Sequence, residues 1–221
     1  MAAPAFGAAG TYLTGATRTS SPVPVPAGVA AEQIILVHFY LEPTVTITGL
    51  PSGFAEVGSG IANSAHGQRV FWKRAAGADS GTYTFTHSST WTEAAATSYT
   101  GATLTGDPTD ASPATAQRGT SGTVTPAVSL TTTGPDRLIV WGGTVTFASG
   151  TGGWTPPSGY TEQVDATFEL TVATLAQPTA GSTGSITGTS AQAGPQCGFL
   201  IALLPIPDAG FVQRRSPNYR R

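Results

Sequence analysis

The stretch Pro51-Ser-Gly-Phe-Ala-Glu-Val57 returns in the second half of the chain as Pro157-Ser-Gly-Tyr-Thr-Glu-Gln-Val164, its first six positions displaced by 106 residues. Pro presets φ at the second position of a turn and Gly supplies φ > 0 behind it, so in both copies an aromatic, Phe54 or Tyr160, opens the next strand. Each copy follows an apolar run (34–40 and 138–142) and a Thr-rich run (45–48 and 144–147). Downstream, Gly81-Thr-Tyr-Thr-Phe-Thr86 corresponds to Gly184-Ser-Ile-Thr-Gly-Thr189, and the closing run 94–100 to 197–203, both at an offset of 103. Solenoid repeats have periods of ~20 to ~50 residues, so a spacing this long marks one supersecondary unit present twice.

From residue 33 onward, short apolar and β-branched runs alternate with Gly, Pro, Ser and Asp. This predicts strands near 33–41, 44–48, 54–57, 68–75, 82–87, 94–100, 124–131, 137–142, 144–148, 160–164, 168–176, 184–189 and 197–204. Helix is confined to 30–33 and 93–96, each no more than one turn. Two four-stranded units cannot each cover their own apolar face. The expected fold is therefore all-β, a two-sheet jelly-roll-like β-sandwich with strands exchanged between the halves. It occupies 32–207 as a single domain, with halves at about 32–104 and 123–207 and a polar, breaker-rich crossover at 105–122. Residues 1–31, with Ser21-Pro-Val-Pro-Val-Pro26, read as an extended N-terminal arm or edge segment, because three prolines withdraw alternate amide donors.

Composition narrows the classes. The 221 residues include 28 Gly, 17 Pro and 36 Thr, which excludes an all-α fold. Only 10% are charged, against about 25% in an ordinary soluble domain. A chain of this length buries enough surface to fold without disulfides or a structural metal, and its single Cys permits no internal disulfide. The longest apolar runs, 34–37 and 199–204, fall far short of the ~20 residues that span a bilayer. The opening MAAPAFGAAG lacks a basic n-region and a continuous apolar h-region, so the chain is expected to stay in the cytoplasm unless a larger particle carries it out. Charge is segregated: residues 1–208 hold six Lys+Arg against all twelve acids, a charge of −6, whereas 209–221 hold four Arg and no acid. Following Pro205-Ile-Pro207, residues 208–221 read as an Arg-rich C-terminal arm beyond the domain.

Signatures of chemistry are sparse. The three His (38, 66 and 87) and one Cys show no tetrahedral metal spacing, and His38, inside an apolar strand, reads as a hydrogen-bonded core or face residue. Gly58-Ser-Gly60 and Ser121-Gly122 do not make a nucleophile elbow. Asp107-Pro-Thr-Asp110 carries two carboxylates that could ligate Ca²⁺, but an Asx-type turn in a crossover is the favoured reading. Glu56 and Glu162 occupy equivalent positions of the repeat, which argues for a turn or register role rather than a catalytic pair. No Gly-rich phosphate loop precedes a helix. No catalytic residue, cofactor or metal is therefore expected. Of Trp72, Trp91, Trp141 and Trp154, Trp72 alternates like a core position, while Trp91 and Trp154 are candidates for stacking on a glycan. In the C-terminal arm, Arg214, Arg215, Arg220 and Arg221 suit forked pairing with carboxylates and Phe211 and Tyr219 suit anchoring pockets, so the arm reads as docking onto an acidic protein neighbour. Four charges on an acidic body would make only weak, non-specific nucleic-acid contacts.

The opening Met-Ala-Ala-Pro-Ala-Phe-Gly-Ala-Ala-Gly-Thr-Tyr-Leu13 and the motifs Arg69-Val-Phe-Trp-Lys-Arg74, Gly81-Thr-Tyr-Thr-Phe-Thr86, Pro156-Pro-Ser-Gly-Tyr160 and Phe199-Leu-Ile-Ala-Leu-Leu-Pro205 carry a family likeness. Up to about residue 207 the chain resembles virion proteins of tailed phages infecting actinobacteria, of the capsid-decoration or minor-tail type. The resemblance implies a non-enzymatic structural protein on the virion exterior, assembled in the host cytoplasm. It also implies docking onto other virion proteins such as major capsid or tail proteins and homo-oligomerisation, for instance as a trimer. A carbohydrate-binding sandwich used for adhesion to a host-surface glycan is the alternative. No site residues follow from the resemblance.

Overall fold

The structure, a computed structural model, describes residues 3–146, 153–165 and 169–207. It is all-β, with no helix among the described residues. The first half of the chain forms β1 (Ala5–Ala9), β2 (Leu13–Pro24), β3 (Ile34–Leu41), β4 (Ile47–Gly49), β5 (Ala55–Glu56), β6 (Ile61–Ala62), β7 (Gly67–Arg74) and β8 (Thr82–Thr100). The second forms β9 (Ala114–Val124), β10 (Thr131–Thr132), β11 (Arg137–Val145), β12 (Trp154–Thr155), β13 (Thr161–Asp165), β14 (Leu170–Gln177), β15 (Gly181–Ser182) and β16 (Thr189–Leu203).

Two antiparallel sheets make the sandwich. The first runs β1-β8-β3-β7-β5, with β2 and β4 also on β8 and β6 on β7; the second runs β12-β16-β11-β14-β13, with β9 on β16. The duplication is visible strand by strand: β3 matches β11, β7 matches β14, β8 matches β16, β5 matches β13, and the N-terminal β1 and β2 occupy the place of β9. The expected exchange of strands does not occur, because each half keeps all its principal strands in one sheet. The reason is that each half does cover its own outer face.

All eight residues of β3 and all nine of β11 are buried. A strand central in its sheet and covered on both faces reads as a near-continuous apolar run, which is why IILVHFYL and RLIVWGGTV stand out in the sequence. One face of each meets the other sheet: Ile34, Leu36, Tyr40 and Tyr99 share a core with Leu138, Val140, Phe199 and Ile201. The opposite face of β3 lies under Phe54, Tyr83 and Phe85, with Phe39 edge-to-face on Phe71 and Phe85 at 5.8 and 4.9 Å between ring centroids. The opposite face of β11 lies under Val128, Leu130, Trp154 and Tyr160. Three apolar layers result instead of one.

The repeated turns bring Phe54 and Tyr160 onto these outer faces. Phe54 N donates to Pro51 O at 3.2 Å and Tyr160 N to Pro157 O at 3.0 Å, with Gly53 and Gly159 both at φ 82°. Gly supplies the positive φ as the sequence predicts, but Pro stands at the first turn position and Ser at the second. The register corrects a further detail. Ile34 pairs with Tyr99 and Leu138 with Leu203, so the closing strands correspond at an offset of 104 rather than 103. A one-residue slip would turn every side chain to the other face, and Ala95 and Phe199 both face the layer between the sheets. Where the first sheet pairs His38 with Ala95, the second pairs Gly142 with Phe199. A Cβ on Gly142 would stand 3.0 Å from His38 Nδ1 and 2.8 Å from Gln68 Nε2. Bulk on one sheet is thus matched by its lack on the other.

The N-terminal stretch is extended and lies along a sheet edge as β1 and β2, paired with β8 from Ala5 to Pro24. The crossover at 105–122 contains a strand that the sequence reading lacks, β9, paired with β16. The expected strand at 184–189 is replaced by a bridge between Val128 and Ile186 and by the first residue of β16. The expected strands 82–87 and 94–100 are continuous as β8, and 137–142 runs on through Val145 as β11, residues 147–148 of the expected 144–148 strand lying outside the described residues.

Candidate functional site

The arm residues Phe211, Arg214, Arg215, Tyr219, Arg220 and Arg221 lie outside the described residues. The tryptophans are sorted by the three layers. Trp141 is fully buried, and Trp154, 7% exposed, stands edge-on to it with ring centroids 6.1 Å apart. This corrects Trp154 as a glycan candidate, since a ring sunk in the outer core of the second half has no face to stack on a sugar. Trp72 is half-buried against the central layer. Trp91, on β8, is 40% exposed, and β2 passes it at Gly15, where a Cβ would come within 2.4 Å of the ring.

The histidines are structural. His87 Nδ1 donates to Ser88 O at 2.9 Å, which leaves Nε2 to accept from the Ser21 hydroxyl at 2.8 Å. His66 is buried and stacked on Tyr40, with ring centroids 4.8 Å apart. Asn63 Nδ2 donates to its Nδ1 at 3.4 Å, so Nε2 carries the proton and donates to Thr144 Oγ1 at 2.8 Å. The Tyr40 hydroxyl lies 2.8 Å from Thr146 Oγ1, which in turn lies 2.8 Å from His66 Nδ1, so one polar chain crosses from the first half to the second. His38 is fully buried as expected, but neither ring nitrogen meets a hydrogen-bond partner among the described residues. Burial pushes both His38 and His66 down to about 3, so both stay neutral at physiological pH.

The acidic candidates resolve into scaffold contacts. Asp107 Oδ1 accepts from Thr109 N and Oγ1, each at 2.8 Å, an Asx turn. Asp110 accepts from Arg137 Nη2 at 3.0 Å and from Thr133 N at 2.6 Å. Glu56 takes a fork from Arg69 at 2.7 and 2.8 Å, and Glu162, its counterpart, accepts from Thr171 Oγ1 at 3.0 Å. Both glutamates tie a short outer strand to its neighbour, the register role that their repetition predicts. Gly58, Ser59 and Gly60 line a cleft of about 370 Å³ with Leu41, Glu42 and Arg69. No group of three or more His, Cys, Asp or Glu able to hold a metal occurs among the described residues.

One cluster escaped the sequence reading. Glu93, on β8, is 1% exposed between the sheets, and its Oε2 accepts from the Tyr12 hydroxyl and, at 3.2 Å, from the backbone N of Glu169. Burial, then hydrogen bonding to Glu93 and its charge, push the Glu169 carboxyl up to about 8. The only signal in the sequence was a carboxylate inside the otherwise uncharged β8. Trp91 stands two residues along the strand on the same side, so the exposed ring lies beside the buried Glu93. No known protein family, characterised protein or solved structure matches the chain.

Proposed function

We propose that the protein is a non-enzymatic structural component of the exterior of a tailed-phage virion, a capsid-decoration or minor tail protein that docks onto other virion subunits through its C-terminal arm. The observation that carries this reading is the charge segregation: a body of charge −6 is followed, beyond Pro205 and Pro207, by a segment with four Arg and no acid. Such a segment pairs with carboxylates on a neighbouring subunit, while Phe211 and Tyr219 supply apolar anchors. The family resemblance supports the setting. So does the use of the body's polar groups, where Glu56, Glu162, Asp110, His66 and His87 are all taken up in internal hydrogen bonds.

Immunogold labelling of intact virions with antibody to the folded domain tests the reading. Gold over the head assigns a decoration protein and gold confined to the tail a minor tail protein; virions that stay unlabelled while the antibody binds the free protein refute both. A second reading, a carbohydrate-binding module, is favoured by one observation, the exposed ring of Trp91. It predicts glycan affinity that Trp91→Ala abolishes and Trp154→Ala, a core substitution, affects only through stability.

A further inference from the structure

The cleft beside β6, about 370 Å³, combines apolar and acidic lining. Leu41, Val45 and Ile61 supply the apolar part, the exposed Glu42 the acidic part, and Glu56 and Arg69 neutralise each other as a pair. Glu42 is tied down through its backbone, N donating to Thr90 Oγ1 at 3.2 Å, while its carboxylate meets no partner among the described residues. Two more carboxylates act at the same end of β3: burial, and then the charges of Glu169, Glu93 and Glu42, push the Tyr40 hydroxyl up to about 12 against its hydrogen bond to Thr146. An apolar hollow edged by an unpaired carboxylate suits a segment that carries a bulky apolar side chain and a guanidinium. Residues 209–221 are such a segment, with Phe211 ahead of Arg214 and Arg215.

The segment departs from the opposite end of the sandwich. Ile206 N donates to Gly101 O at 3.0 Å, just past the end of β8, where Tyr99 pairs with Ile34, the first residue of β3. Ile61, in the cleft, pairs with Gln68, and Gln68 pairs with Tyr40 near the far end of β3. From Ile34 to Tyr40 a strand covers about 20 Å. Phe211 stands four residues beyond Pro207, a backbone reach of no more than about 14 Å, so it falls short of the cleft of its own molecule. We propose that residues 209–221 of one molecule dock into the Glu42 cleft of a second copy, Phe211 against Leu41, Val45 and Ile61 and Arg214 or Arg215 on Glu42. The inference rests on the reading of this segment as a docking arm and names its partner. Because arm and cleft lie at opposite ends, copies join head to tail, a heterologous contact that builds a ring or an open chain rather than a two-fold dimer.

Sedimentation velocity of the full chain over a concentration series, at low and at high salt, tests it. The expected result is association that grows with concentration and weakens with salt. Two full-length variants, Glu42→Lys and the combination Phe211→Ala, Arg214→Ala and Arg215→Ala, should each weaken association about tenfold or more while circular dichroism stays that of the wild type. Mixing these two variants is the sharpest arm of the test. One keeps the arm and the other keeps the cleft, so the mixture should form a one-to-one complex that neither forms alone. Variants that associate as the wild type does, or a mixture that stays monomeric, overturn the proposal. A full chain that is monomeric throughout also overturns it, yet leaves the arm docking onto a different virion subunit; a chain without residues 209–221 that enters virions normally removes the docking arm itself.

Discussion

Gly194 illustrates how closely the backbone packs where β16 passes the end of β11. A Cβ there would stand 1.8 Å from Thr146 O, a backbone atom that cannot swing aside. Gly194→Ala should therefore destabilise the fold by about 1–3 kcal/mol or more, read as a lowered midpoint in urea. Gly77 is the control: nothing lies within 4 Å of its added Cβ, and Gly77→Ala should stay within about 0.5 kcal/mol of the wild type. Cys197 gives a chemical test at the same scale. It is fully buried, and burial pushes its thiol up to about 12, so iodoacetamide at pH 8 should leave the native protein unmodified and react only after unfolding. Rapid alkylation of native protein would show that the layer around Cys197 opens readily.

At the scale of elements, the segment leading into β9 is fixed by Asp110, whose side chain is 1% exposed and paired with Arg137, 9% exposed, at the start of β11. Burial alone would raise the Asp110 carboxyl, but hydrogen bonds from Arg137 and Thr133 and the Arg137 charge outweigh it and hold it below the usual carboxylate range. Asp110→Ala strands the Arg137 charge in the interior and should cost about 3–5 kcal/mol in chemical denaturation. A loss under about 1 kcal/mol would mean that Arg137 finds solvent. The elements differ in how plainly the sequence announces them. β3 and β11 are legible because burial on both faces leaves them nearly continuous apolar runs, with His38 the one polar residue within β3. β9, Ala-Thr-Ala-Gln-Arg-Gly-Thr-Ser-Gly-Thr-Val, is largely exposed on an edge, so neither alternation nor apolar content marks it, and its glycines read as breakers. The Glu93–Glu169 pair was invisible for a different reason: its members are 76 positions apart on different sheets, and no spacing rule links them. Glu56 and Glu162 were legible because duplication itself places them at matching positions.

For the whole molecule, buried titratable groups set opposing limits on stability. His38 and His66, held down at about 3, contribute stability that is present above their ordinary 6.5 and is lost as pH falls towards 3. Glu169, raised to about 8, contributes stability that is full below 4.5 and is lost as pH rises through 8. Each group acts with a slope of about 1.4 kcal/mol per pH unit within its window, so the melting temperature should peak near pH 6.5. A melting temperature that continues to rise from pH 6.5 to 8 would contradict this balance. The described body has three apolar layers, and the four Arg of 209–221 follow it in sequence. The most direct test of docking through that segment is to produce virions with a chain lacking residues 209–221 and to quantify its incorporation beside the full chain. The truncated protein is predicted to keep its circular dichroism and melting temperature but to be missing from purified particles; incorporation at the full-length level would contradict docking through the arm.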